Sequence, residues 1–189
     1  MQTKLKLYLA GPEVFLPDGV AHAEEQRRLC TKYGFVPLHP MDNNLLLGNK
    51  DFKTATRIYR GDVGQVRECD IVVANCNPFR GVCIVDDGTA YELGFANALG
   101  KVSYGYIGSM IGLVERTIRD YQTEIWPVDP TLHIDREGYL VTNAFGTSIN
   151  LMLQCGITES AGRLVEGGFE DCLVAIREDL DSGRLEFPS

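Results

Sequence analysis

No two of the six cysteines (30, 69, 76, 83, 155, 172) form a C-x-x-C pair, and the three histidines (22, 39, 133) stand far apart with no H-E-x-x-H pattern. Zinc sites need such ligands clustered at fixed spacing, so no metal is expected. No basic run exceeds Arg27-Arg28, and 18 Lys+Arg against 26 Asp+Glu leave a net charge of −8. Nucleic-acid polymers and anionic membranes both require clustered positive charge, so neither is an expected partner. No apolar run approaches the roughly 20 residues of a membrane span. The apolar stretch that follows Met1–Lys6 stops at Gly11-Pro12, too short for a signal segment, so a cytoplasmic protein with reduced, buried thiols is expected. No G-x-G-x-x-G follows the first predicted strand and no G-x-S-x-G elbow occurs. Gly94 and Gly100-Lys101 fail as a P-loop because five residues separate the glycines and Val102 stands where Ser or Thr is needed. No cofactor is expected.

With 44% hydrophobic and 23% charged residues, the 189-residue chain has the composition of one globular domain, read here as residues 1–189 with an excursion at about 108–138. Leu5, Leu7 and Leu9 alternate with Lys6, Tyr8 and Ala10, the period of a strand. Asp18 is placed to cap a helix through Tyr33 that stops at Gly34, and Phe35–Leu38 reads as a second strand. Helical spacing recurs over Thr54–Glu68, and the unbroken run Ile71–Ala74 suits a strand covered on both faces. A helix over Thr89–Leu99 and a strand over Val102–Ile107 follow. Met110–Tyr121 reads as helical within the excursion, and Phe169, Cys172, Leu173, Ile176 and Leu180 mark a last amphipathic helix. This alternation predicts a doubly wound α/β sheet of mainly parallel strands with helices on both faces.

Ligands in such sheets bind beyond the carboxyl ends of the strands, so the loops after Leu9, Leu38, Ala74 and the Cys83–Val85 stretch should converge. Those loops are acidic, carrying Glu13, Asp42 and Asp86-Asp87. Within Thr89–Leu99, Glu92 shares a face with Phe95, Ala96 and Leu99, and an acid on a core-facing stripe normally has a partner or a task. Asp62 lies likewise between Ile58 and Val66. Asp86 stands where a helix cap belongs, and Tyr8 points away from Leu7 and Leu9, toward the same cleft. The bland alternatives are a Glu92 that complements a helix dipole and a solvent-facing Asp62. Paired carboxylates without metal ligands suit cleavage at an acetal-like carbon, one acid attacking and another protonating the leaving group.

Five blocks, Tyr8-Leu-Ala-Gly-Pro-Glu-Val-Phe15, Pro37-Leu38…Asp42-Asn43, Asn77-Pro-Phe-Arg-Gly81, Asp86-Asp-Gly-Thr-Ala-Tyr-Glu-Leu-Gly94 and Asn150-Leu-Met-Leu153, occur in order over about residues 5–157. Together they closely resemble the nucleoside 2-deoxyribosyltransferases. The resemblance implies a flavodoxin-like fold and transfer of 2-deoxyribose between nucleobases, with retention through a covalent glycosyl-glutamate. It implies Glu92 as nucleophile, Tyr8 as its hydrogen-bond donor, Asp62 as an active-site aspartate and Asp86 as the acid acting on the base. It further implies Phe15, Asn150, Asp42 and Gly11 as substrate-binding residues, with Asn150 shared across a homodimer or larger homo-oligomer. The expected partners are deoxynucleosides and free bases of nucleotide salvage, purines weakly favoured on the Pro12–Phe15 and Pro78–Gly81 blocks. One rival is a hydrolase that cleaves the N-glycosidic bond of nucleosides or nucleoside 5′-monophosphates. The other is a non-catalytic nucleotide-sensing domain on the same fold.

Overall fold

The computed structural model describes residues 4–43, 50–81, 83–142 and 144–187. Along the chain run β1 (Lys6–Ala10), α1 (Gly19–Lys32), β2 (Val36–Leu38), α2 (Phe52–Glu68), β3 (Ile71–Asn75), α3 (Asp87–Ala98) and β4 (Val102–Ile107). Next come α4 (Leu113–Asp120), β5 (Thr123–Ile125), β6 (His133–Asp135) and β7 (Leu140–Val141), and finally α5 (Leu151–Glu159), β8 (Leu164–Glu166) and α6 (Phe169–Asp181). Five strands pair in the order β2-β1-β3-β4-β8, all parallel, which is the flavodoxin-like arrangement.

The side-chain period of two distributes each strand between two cores. Leu7, Leu9, Ile71 and Val73 pack with Cys30 of α1 and Leu173 and Ile176 of α6. Tyr8, Ala10, Val72 and Ala74 pack on the other face with Val66 of α2, Leu93 and Ala96 of α3 and Ile157 of α5. Local signals set the helix ends. Gly34 takes φ +80° after α1, a conformation that side chains disfavour. Asp51 caps α2 by accepting from the Thr54 N–H at 2.7 Å. β1 and its neighbour β3 send their following helices, α1 and α3, to opposite faces of the sheet, so a crevice opens between their carboxyl ends.

The expected strands β1 to β4 and the helices α1, α2, α3 and α6 are present. Asp18 precedes α1, but its carboxylate makes no capping hydrogen bond. Cys83–Val85 is not a strand: the chain turns through Arg80 (φ 52°) and Gly81 (φ 73°), then loops back with the Phe79 N–H donating to the Ile84 carbonyl. In the excursion, the helix starts at Leu113 rather than Met110, because Gly112 takes the capping position. The remainder forms a second, antiparallel sheet, β5-β6-β7, reaching Val141. The short α5 and β8 lie outside the elements expected from sequence.

Candidate active site

Tyr8 is buried on β1 with its side chain toward α2 and α3. Its hydroxyl donates to Glu92 Oε1 at 2.5 Å, a contact between residues 84 positions apart. Glu92 lies one and a half turns into α3, on the flank that faces α2. Burial is the largest influence on its carboxyl. The Tyr8 hydrogen bond opposes it, the charges of Asp62 and Asp86 reinforce it, and the pKa is pushed up to about 7. Burial, followed by the charges of Glu92 and Asp62, raises the Tyr8 pKa, so the phenol remains a donor. Loss of that donor should destabilise the carboxylate. In Tyr8→Phe the Glu92 pKa is expected to rise by about one unit or more, the range for a hydrogen bond to a charged group. Carboxyl-carbon NMR titration of labelled protein measures this, and an unchanged or lower pKa would contradict the geometry.

Asp62, half-buried on α2, lines with Glu92 a cavity of about 340 Å³ between α2 and α3, together with Val66, Tyr59, Tyr91 and Phe95. Asp86 is buried as the N-cap of α3, its Oδ2 accepting from the Thr89 N–H at 3.0 Å and the Thr89 hydroxyl at 3.1 Å. The capping role anticipated from its position is therefore real, and it brings the carboxyl close enough to bear on Glu92. Tyr8, Asp62 and Asp86 thus gather around Glu92, between β1, α2 and α3.

A second cavity, about 590 Å³, opens at the same edge. Phe15 and Phe79 stack there with centroids 5.8 Å apart and planes 29° apart, and the Arg80 guanidinium lies 5.4 Å from the Phe15 centroid and 4.8 Å from that of Phe79. Glu13 forms part of its wall and is 9% exposed. Glu13 Oε1 accepts from the Tyr106 hydroxyl at 2.6 Å and from Asn75 Nδ2 at 2.8 Å. Burial first, and then the Glu13 charge, raise the Tyr106 pKa well above its ordinary value. Gly11 is needed for close approach: a Cβ there would lie 2.0 Å from Glu13 Oε2.

Sequence reasoning did not single out Asn75 or Tyr106. The available signal was a polar residue closing the otherwise apolar β3, where a strand meets its ligand edge.

Two expected site residues stand apart. Asp42 is paired with Arg27 and accepts from the His39 N–H at 2.8 Å, and it is not among the residues lining either cavity. Its neighbour Asn43, named in the same sequence block, lies at the limit of the described residues. Asn150 caps α5, its Oδ1 accepting from the Met152 N–H at 2.9 Å, and it too lines neither cavity. Ile149 is buried in the chain's own core and Leu153 packs against it, whereas Met152 and Phe145 are 75% and 72% exposed. Among the described residues no three His, Cys, Asp or Glu side chains are grouped to hold a metal, and no helix is long and apolar enough to cross a membrane.

The family model described as nucleoside 2-deoxyribosyltransferase matches residues 7–152. An uncharacterised protein of Schizosaccharomyces pombe is 29% identical over 124 residues, which are 64% of this chain but 57% of that protein. Among solved structures, a 2-desoxiribosyltransferase from Leishmania mexicana is 30% identical, with a TM-score of 0.69 over 93% of this chain and 98% of its own. A conserved protein from Enterococcus faecalis, 19% identical with a TM-score of 0.58 over 93% and 99% of the two chains, shares the fold.

Proposed function

Because the chain belongs to the nucleoside 2-deoxyribosyltransferase family, whose model matches residues 7–152, we propose that it moves 2-deoxyribose from one nucleobase to another through a glycosyl ester on Glu92. The observation that carries this reading is the half-buried Glu92 carboxylate, held by Tyr8 of β1 and influenced by two further acids. In the first half-reaction a Glu92 oxygen bonds to the anomeric carbon as the bond to the base nitrogen breaks, and Asp86 gives its proton to the departing base. In the second, an incoming base attacks the same carbon, Asp86 recovers a proton from it, and the Glu92 ester bond breaks. Two displacements retain configuration. Tyr8 orients the nucleophile, and the Asp62 charge favours the positive character developing at the sugar. Nucleosides of purine bases are the preferred substrates in this reading, in keeping with nucleoside salvage in the cytoplasm.

Cleavage of nucleoside 5′-monophosphates suits the edge less well. A phosphate seeks free N–H groups and positive charge. Yet the first loop places the Glu13 carboxylate there, and the Gly168 N–H that opens α6 donates at 2.8 Å to the chain's own Asp171. Incubation with a deoxynucleoside and a second free base, followed by chromatography, separates the possibilities. An exchanged nucleoside is expected; free deoxyribose alone would indicate a hydrolase, and base binding without turnover a sensing domain.

Asn150 is assigned in this reading to the site of a second subunit. Its amide nitrogen donates to nothing within the chain among the described residues, and Met152, two residues on, is exposed. Mixing two inactive variants, Glu92→Gln and Asn150→Ala, should therefore restore activity through hybrid sites with both wild-type groups. Verified subunit exchange without recovered activity, or a fully active monomer by light scattering, would dispose of the shared site.

A further inference from the structure

One oxygen of Glu13 is used within the chain and the other is not. Oε1 holds two donors, the Tyr106 hydroxyl and the Asn75 amide, while Oε2 accepts no hydrogen bond among the described residues. Oε2 is not one of the buried side-chain atoms left without a partner among the described residues, so this oxygen stays open to the cavity, where a ligand's donor can meet it. Its position is set with care: Oε2 rests over Gly11 at the end of β1, where the two faces of the sheet diverge, and any side chain on Gly11 would displace it. Three residues earlier, Tyr8 leads to Glu92 on the α2/α3 face. The Phe15–Phe79 cavity, which Glu13 walls, and the cavity that holds Glu92 share no lining residue, and β1 links them through Gly11 just past its end and Tyr8 within it. The stacked rings and the Arg80 guanidinium offer flat faces to a heterocycle but read nothing of its edge. The groups facing Glu13 are Tyr106, Asn75 and, at 4.0 Å from Oε1, His22 Nε2. None of them reaches Oε2.

We propose that Glu13 selects the base: its Oε2 accepts a hydrogen bond from the exocyclic amino group of a heterocycle stacked at Phe15 and Phe79, so that amino-bearing bases are favoured over keto or unsubstituted ones. Tyr106 and Asn75 are positioning residues that fix the carboxylate through its other oxygen. The proposal rests on the reading of this chain as a nucleoside enzyme and names the feature of the base it prefers. An oxygen with free lone pairs attracts an N–H and repels a carbonyl oxygen or ring nitrogen. A site built to hydrogen-bond a group also rejects the analogue that lacks it far more strongly than an apolar pocket does.

Adenine and 6-methylpurine have nearly the same shape and differ by the amino donor, so they test this directly. As acceptor bases in the exchange assay, adenine should exceed 6-methylpurine in kcat/KM by about ten- to a hundredfold, the range for a hydrogen bond to a charged group left unmade. Glu13→Gln presents an amide in place of the open oxygen and should erase most of that ratio while still accepting from Tyr106. Tyr106→Phe, which loosens the carboxylate without replacing it, should reduce the ratio in the same direction. Equilibrium binding of both bases is measured by calorimetry in parallel. Exchange with equal acceptance of the two bases, or a ratio unchanged in Glu13→Gln, overturns the proposal and leaves the transferase reading intact. No exchange, but a binding preference for adenine that Glu13→Gln removes, supports the proposal and overturns that reading. No exchange and no binding preference overturns both. If neither variant folds, the wild-type ratio decides, and equal acceptance still overturns the proposal.

Discussion

Glu92→Gln should reduce base exchange by more than about 10⁴-fold, the scale seen when a covalent nucleophile is removed, and at the same time make the protein more stable at alkaline pH. The first effect follows from the proposed chemistry, since an amide cannot form the glycosyl ester. Mass spectrometry of intact protein incubated with a deoxynucleoside should find a sugar adduct on wild type only. The second follows from burial. The Glu92 carboxyl is raised from 4.5 to about 7 in the folded chain, so between those values the native state holds a proton that the unfolded chain has released. Stability is therefore lost as pH rises through that window, by about 3 kcal/mol once both states are ionised. Glutamine keeps the acceptor for the Tyr8 hydroxyl and never carries the charge. The variant's melting temperature should exceed the wild type's by several degrees at pH 8, and the two should converge near pH 5. Near-normal exchange in the variant would sink the nucleophile assignment, and equal stability at both pH values would refute the burial account.

Asp86→Asn separates the N-cap that Asp86 forms from the acid role proposed for it. Asparagine is as good an N-cap as aspartate, so the bond from the Thr89 N–H should survive and α3 should keep its start. The proton is what is lost. General acid assistance contributes about 10²–10⁴-fold, and exchange of ordinary deoxynucleosides should fall by that factor. A deoxynucleoside whose base leaves readily without protonation should suffer much less. Asp86→Ala should show the same loss of chemistry plus about 1 kcal/mol of destabilisation from the missing cap. Equal rate losses on good and poor leaving groups would contradict the acid's role on the base.

Much of this arrangement is legible in the sequence because it depends on short periods. The alternation around Tyr8 sets its face relative to Leu7 and Leu9, and Phe95 and Ala96, three and four positions after Glu92, set its side of α3, whereas Leu99, seven positions on, caps the helix and is exposed. Asp86 follows from capping preference. What escaped is governed by partners distant in sequence or by elements too short to have a period. Glu13 reads as one more acid in a loop, and its partners Asn75 and Tyr106, 62 and 93 residues away, make it a buried and oriented one. The three strands of the small sheet have two or three residues each, and β8 has three. No alternation can be recognised over so few positions. Asp42 was grouped with the site through its sequence block, whereas Arg27, fifteen residues earlier, holds its carboxylate.

The alternation of β1 also ties the soundness of folding to the competence of the site. Leu7 and Leu9 fill one core while Tyr8 and Ala10 fill the other, in a strand flanked on both sides. A slip of one residue in pairing would turn the tyrosine into the α1/α6 core and a leucine toward Glu92, leaving a phenol without its acceptor and a carboxylate without its donor. The misaligned chain would forfeit packing on both faces in the same movement that removed its reactive pair. Copies that reach a tight, protease-resistant state should for that reason be uniformly competent, and the fraction of active molecules in a refolded sample should equal the fraction that is folded.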